Sequence, residues 1–203
     1  MPPATQTLDA RTIDDPKRAR ILERAMKVFL AYGFARTTMD DIARAAEVSR
    51  PALYLLFRNK TDIYRAIGAG LLEQSVETAR MALQGEGAFS ARMERAIGCA
   101  LITMMDQIAQ SPHGGELLDM KNSLAGDLVL SWRAGVGGHM AAAIAREARA
   151  NRVDLAGRGL DADTLAAFLL DGLEGMKSRV TDAAGQRAAA AELVRVIELA
   201  IRP

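Results

Sequence analysis

Apolar residues recur every three or four positions along this chain, and no stretch alternates apolar with polar in the manner of a strand. The pattern predicts an all-α protein. Ile21, Leu22, Ala25, Val28, Phe29 and Tyr32 form the apolar stripe of a first helix, which opens near Pro16 or Lys17 behind Asp14 and Asp15 and closes at Gly33. A second helix is predicted over about Met39 to Ala46, with Thr38 and Asp41 at capping-box spacing. After the turn Glu47-Val48-Ser49, a third runs from about Pro51 to Phe57, since a residue without an N–H and with φ already set suits a first turn. Longer helices follow: about Asn59 to Leu83, Ser90 to Gln110, Glu116 to Leu124, Asp127 to Asn151, Asp163 to Ala183 and Gln186 to Ile201. Gly85-Glu86-Gly87, the run from Ser111 to Gly115, and Gly157 with Gly159 supply the breaks.

The third helix is too short to be stable alone, and its stretch EVSRPALYLLFRNKTD (Glu47 to Asp62) carries basic residues near both ends. Two short helices joined by a three-residue turn, with a supporting helix upstream, are the parts of a helix-turn-helix. In that arrangement Leu53 and Phe57 face inward with Ile42 and Val48. Arg50, Ala52 and Tyr54 face outward.

The stretch GFARTTMDDIARAAEVSRPALYLLFRNKTDIY resembles the DNA-binding segment of the TetR (tetracycline-repressor) family of transcriptional regulators. Gly33, Thr38, Ile42-Ala43, Ala46, Val48-Ser49, Leu53-Tyr54, Phe57 and Lys60 carry the likeness. Beyond it the chain is similar to the family only in length and helicity. The resemblance implies a flexible tail over residues 1–15, a three-helix helix-turn-helix DNA-binding domain over 16–65, and a larger helical ligand-binding and dimerisation domain over 66–203. It also implies that Thr38, Tyr54 and Lys60 contact phosphates and that Ser49, Arg50, Pro51 and Ala52 lie at the DNA interface, the last three at base edges. The chemistry agrees: hydroxyls and Lys position a protein on phosphate, and Arg can make a bidentate contact to guanine. Three positions depart from the family pattern. Glu47 replaces a turn glycine, Leu56 replaces the usual His, and Pro51-Ala52 replace a common Gly-Thr pair.

Charge sharpens this division. Residues 1–65 hold twelve Lys/Arg against eight Asp/Glu, whereas the whole chain carries a net charge of only +1, so only the N-terminal third is basic. Lys17, Arg20, Arg24 and Lys27 share one flank of the first helix and read as a solvated face; Arg11 reads as part of a disordered tail. The opening MPPATQTLDARTIDDP lacks the apolar core of a signal peptide, and the longest apolar runs fall short of the ~20 residues that span a bilayer. A cytoplasmic protein with no membrane association is expected.

The single Cys99 lies in the apolar run AIGCALITMM, which predicts a buried thiol. His113, Glu116 and Asp119 lack a second histidine at ligand spacing, so His113 reads as a satisfied loop histidine and His139 as structural. No cofactor, metal or enzymatic chemistry is expected. Large residues on the later helices are first of all core. Because the family resemblance implies that such helices surround a small-molecule pocket, Met105, Trp132, Val136, Met140, Phe168 and Met176 are its candidate lining. Gly172 and Gly175 lie three apart beside Phe168 and Met176, and with Leu193 and Ile197 of the last helix they make a candidate dimer interface. The reading is a homodimeric regulator, a repressor, that binds a pseudo-palindromic double-stranded operator and is released by a small apolar effector. The alternative is a helical ligand-binding or scaffolding protein whose helix-turn-helix no longer binds a specific operator.

Overall fold

The computed structural model describes residues 16–119 and 121–203, without the side chains of Lys121 and Asn122. The tail over 1–15, with Arg11, lies outside the described residues. In chain order the helices are α1 (Pro16–Tyr32), α2 (Met39–Ala45), α3 (Arg50–Tyr54), α4 (Lys60–Gln84), α5 (Phe89–Ile97), α6 (Thr103–Ala109), α7 (Gly114–Asp119), α8 (Lys121–Ala150), α9 (Ala162–Met176) and α10 (Ala183–Ala200). A π-helical turn, Gly98–Ile102, joins α5 to α6 without a break. There is no strand among the described residues, and no described helix is long and apolar enough to cross a membrane.

Several boundaries differ from the sequence reading for local reasons. The third helix stops at Tyr54 rather than Phe57, because the Leu56 and Phe57 N–H groups both turn back to the Leu53 carbonyl. The helix expected over Glu116–Leu124 is shorter and earlier, starting at Gly114, whose missing side chain lets the backbone lie against the Ile108 carbonyl. The next helix begins near Lys121 rather than Asp127 and bends at Ala125 (φ −144°, ψ 26°). The helix predicted to reach Ala183 ends at Met176, where the Met176 carbonyl accepts from both Arg179 and Val180; Asp182 then caps α10 by accepting from the Gly185 N–H. Cys99 is exposed rather than buried, standing on the outer side of the π turn.

Two apolar clusters organise the chain. The smaller unites Ile21, Ala25 and Phe29 of α1 with Ile42, Leu53, Phe57 and Ile63. Burial of a side chain such as Ile42 or Leu53, each fully enclosed, contributes about 1.5–3 kcal/mol, which is what holds the five-residue α3 in place. Leu117 of α7 also enters this cluster, so the two parts of the molecule share core. The larger cluster lies among α4, α5, α8, α9 and α10. The expected domain boundary at 65/66 falls inside the unbroken α4.

α4 and α8 run side by side in the same direction. Near one end the Arg65 guanidinium pairs bidentately with Asp127 (2.9 and 2.6 Å) and also donates to the Leu124 carbonyl (2.6 Å). Further along, the Trp132 indole N–H donates to Ser75 (2.9 Å), and the absence of a side chain at Gly135 admits Val76.

Candidate functional site

The N-terminal helices form a capped, rigid platform. At α2 the Thr38 side chain accepts from the Asp41 N–H (3.2 Å) while Asp41 accepts from the Thr38 N–H (2.9 Å), a complete capping box. The Thr38 hydroxyl, then its backbone N–H, hold the Asp41 carboxyl below the usual carboxylate range. Ser49 caps α3 by accepting from the Ala52 N–H (3.3 Å), and Pro51 sits in the first turn where no N–H is required. Asn59 caps α4 by accepting from Asp62 (2.9 Å).

This scaffold leaves Ser49, Arg50, Pro51 and Tyr54 exposed and Ala52 half-buried at the start of α3, with Thr38 exposed at the start of α2. The Arg50 guanidinium lies over the Tyr54 ring, 5.5 Å from its centroid, and pairs with Asp40 at 3.0 Å. Arg50 and Asp40 keep 61% and 50% of their side-chain surface, so the pair is weakly held and the guanidinium can turn toward another acceptor. Glu47 adopts φ +55°, the left-handed conformation its glycine-like place in the turn demands, at a cost of about 1–2 kcal/mol. Leu56 is half-buried against the smaller core, so an apolar side chain at this position contributes packing.

Lys60 has a different position from the one the sequence suggests. Its ammonium donates to the carbonyls of Phe34 (2.8 Å), Ala35 (3.0 Å) and Thr37 (3.0 Å), and it stands 4.7 Å from the centre of the Phe34 ring. All three of its protons are engaged with the α1–α2 turn, so the expected phosphate contact would require the ammonium to leave these carbonyls. The signal missed was the turn's need for a donor: its carbonyls are unpaired by the helices on either side.

The same turn touches the second part of the molecule. Gly33 (φ +83°) leaves room for His113 and Glu116, and Glu116 accepts from the Ala35 N–H (3.1 Å). The His113 ring lies 3.0 Å from the Arg36 guanidinium and its backbone N–H donates to the Leu30 carbonyl. Tyr64 donates to the Leu117 carbonyl (2.7 Å), and its burial raises the phenol above its ordinary range. His113 and Glu116 are thus structural links; no group of three or more metal-binding side chains is found among the described residues.

Beside these links lies a cavity of about 300 Å³, within the range of small-molecule sites. Met26 and Phe29 of α1, Tyr64 and Leu71 of α4, Met105 of α6 and Trp132 of α8 contribute to its wall. Of the residues expected to line a pocket, Met105 and Trp132 border this cavity. Val136 and Met140 are completely enclosed in the larger core instead, as is Met176, whereas Phe168 points outward with 53% of its surface exposed. Helical periodicity places such residues on an apolar face but cannot tell core from cavity. Met26, Phe29 and Tyr64 come from the N-terminal helices, which the sequence alone gives no reason to join to a pocket.

The expected dimer residues divide in the same way. Ile197 and Met176 are buried within the chain's own core, and Leu193 packs on Gly172, where a side chain would come within 2.9 Å of it. Gly172 therefore serves an internal α9–α10 contact. Gly175 and Phe168 face outward, and α10 adds Val196 and Leu199, 52% and 58% exposed.

Residues 21–67 match the model of a family described as bacterial regulatory proteins, tetR family. Among curated proteins, the chain is 32% identical over 81 residues to the uncharacterized HTH-type transcriptional regulator YhgD of Bacillus subtilis, a stretch that is 40% of this chain and 42% of that one. It is 43% identical over 63 residues to the HTH-type transcriptional regulator TtgR of Pseudomonas putida, 31% of this chain and 30% of that one. The chain thus spans less than half the length of these relatives. Among solved structures, a TetR-family transcriptional regulator from Mesorhizobium loti matches 93% of this chain and 97% of its own with a TM-score of 0.65 and 16% identity. The fatty acid degradation regulator FadR of Bacillus halodurans matches 89% and 95% with a TM-score of 0.62 and 17% identity. At these identities the likeness is one of fold.

Proposed function

By its helix-turn-helix segment the chain belongs to the TetR family of transcriptional regulators, and on that premise we propose that it is a homodimeric repressor, released from a pseudo-palindromic operator when a small, largely apolar effector fills the cavity. The observation that carries this reading is the exposed start of α3 on a platform fixed by three side-chain caps. A short helix so held can enter a major groove without ordering cost, with Arg50 at base edges and Thr38 and Tyr54 at phosphates. Residues 16–65 act as the reading part and 66–203 as the sensing and pairing part.

The cavity supports the response. Its wall includes Met26 and Phe29 of α1 and Tyr64 of α4, so an effector touches the reading part directly as well as α6 and α8. An effector that fits best when α4 and α1 have shifted relative to α7 favours that arrangement in the population. Pairing matters because one α3 covers one half-site, and half-sites one turn apart lie ~34–36 Å from centre to centre. The exposed Phe168, Val196 and Leu199 flank the α9–α10 seam and are the apolar surface best suited to a second copy. In this arrangement the chain works in the cytoplasm, where its DNA is.

Mobility-shift titration with DNA from the protein's own upstream region, run over a range of salt, tests the proposal. Tight binding to one segment, with scrambled DNA weaker by about 10³ or more, is expected. Equal, weak binding to every DNA tried would instead favour a helical ligand-binding or scaffolding protein.

A further inference from the structure

The cavity has an asymmetry that bears on what can occupy it. Along α8 its wall runs from Ala125 through Val129 to Trp132 and Arg133, about 12 Å at 1.5 Å per residue. At the Ala125 end stand Phe29, Tyr64 and Leu117. Here the Tyr64 hydroxyl already donates to the Leu117 carbonyl, and at mid-wall the Trp132 N–H is committed to Ser75, whose own hydroxyl donates to the Ala100 carbonyl (2.8 Å). The polar side-chain groups of the interior are thus turned to the protein. A ligand's body finds mostly carbon and sulfur to touch.

At the other end the wall changes character. Arg133 of α8 and Lys177, the cap residue of α9, line the cavity together with Glu174. Their present partners lie at the surface: Arg133 pairs with Asp171, and Lys177 with Glu174 at 2.6 Å. Asp171 and Glu174 keep 71% and 61% of their side-chain surface, whereas Arg133 and Lys177 keep 35% and 33%. The cations therefore lie deeper than the acids they pair with, and exposed pairs of this kind are easily exchanged for another anion. Each cation has one carboxylate partner, but of the two acids only Glu174 lines the cavity, so the groups presented to the interior are mainly cationic.

We propose that the occupant of this cavity is an anionic amphiphile: an apolar chain or ring system lying along Val129 and Trp132, with a carboxylate or phosphate-ester head held between Arg133 and Lys177. This rests on the effector-responsive reading above and narrows the effector's class. Arg133 can offer two parallel N–H donors to either head, and Lys177 a point charge, so both head groups fit the same pair. A cationic head would meet two like charges, and a neutral hydroxyl would accept from these donors without the gain of charge pairing.

The test uses the full-length protein and four ligands with the same ten-carbon chain: decanoate, decyl phosphate, decanol and decyltrimethylammonium, kept below their micelle concentrations. Binding is followed by the emission of Trp132, the chain's only tryptophan. Decanoate or decyl phosphate, or both, should bind about tenfold or more tighter than decanol, with the ammonium compound weakest. The better of the two anions identifies the head. In Lys177→Gln and Arg133→Gln the ratio of anion to alcohol affinity should fall toward one; Lys177→Gln removes only a pair within one helix turn, so it keeps the test independent of folding. Equal affinities for all four ligands, preference for the ammonium compound, an unchanged ratio in both variants, or no binding at all would overturn the proposal. Operator binding without ligand is measured separately: its failure would refute the regulator reading while leaving the head-group preference to stand or fall by the fluorescence.

Discussion

Replacing Lys60 by Met keeps the length of the stem and removes the ammonium, which separates the two roles this residue could have. In the folded chain its ammonium makes three hydrogen bonds to carbonyls at 2.8–3.0 Å and faces the Phe34 ring. A hydrogen bond to a charged group contributes about 1.5–3 kcal/mol net, but three from one partly exposed ammonium do not add in full, so the total is about 2–4 kcal/mol. The half-buried Phe34 and Thr37 carbonyls would also be left without a donor. Against a typical stability of ~5–15 kcal/mol that is a large fraction. For a chain of this size it corresponds to a fall in Tm of roughly 5–15 °C. Thermal unfolding by circular dichroism, with urea denaturation as a second measure, reads this directly. An unchanged Tm, together with DNA affinity reduced equally for all sequences and a salt slope smaller by about one, would refute the reasoning and return Lys60 to the phosphate backbone.

Three further outcomes follow from the geometry. Arg50→Ala should weaken operator binding by about 1–3 kcal/mol and relax base choice at one position of each half-site, while Asp40→Ala, which removes the acid beside it, should strengthen binding to scrambled DNA; identical sequence profiles for Arg50→Ala and wild type would remove Arg50 from the base edges. Val196→Asp should yield monomers by light scattering and lose the ~10²–10⁴-fold gain of two-headed binding, whereas Ile197→Asp should unfold the chain itself because that residue is 1% exposed. The Asp127 carboxyl is held low, first by its hydrogen bond from Arg65, so its contribution is present above the unfolded value near pH ~4 and is lost as pH falls through the lower folded value. Asp127→Asn should therefore flatten the acid limb of the stability curve, measured as Tm against pH.

The reading part was largely legible in the sequence because its determinants are local. Thr38 with Asp41 is a capping box defined by a spacing of three residues, and Pro51 marks a first turn; both form, and Ser49 and Asn59 supply further caps of the same local kind. The family resemblance puts a turn glycine at position 47, and Glu47 there has the left-handed φ of +55°. The turn contacts of Lys60 were not legible because its partners, Phe34 to Thr37, are remote in sequence and offer only backbone carbonyls, which leave no trace in residue type. In the second part, Ile197 and Val196 are adjacent apolar residues with opposite fates, one enclosed and one exposed. Only the packing of α10 against α9 and α5 decides between them. Cys99 was taken as buried because an ordinary helix through AIGCALITMM would have continued the apolar face.

The π turn at Gly98–Ile102 decides which way the later part of this helix faces. Ahead of it, Met93 and Ile97 are fully enclosed in the large core; after it, Met104, Met105 and Ile108 line the cavity. A wide turn of this kind takes up one extra residue in an α-helix, and one residue corresponds to about 100° of rotation. Ordinary winding at unchanged length would therefore turn the downstream methionines out of the cavity wall, whereas deleting a single residue from GCALI should restore ordinary winding and leave them facing it. Circular dichroism of the deletion variant should report intact helix with Trp132 emission still responding to ligand; a lost response would show that the wide turn does more than take up one residue. Two chains of this fold could thus differ in length by one residue and still present the same lining.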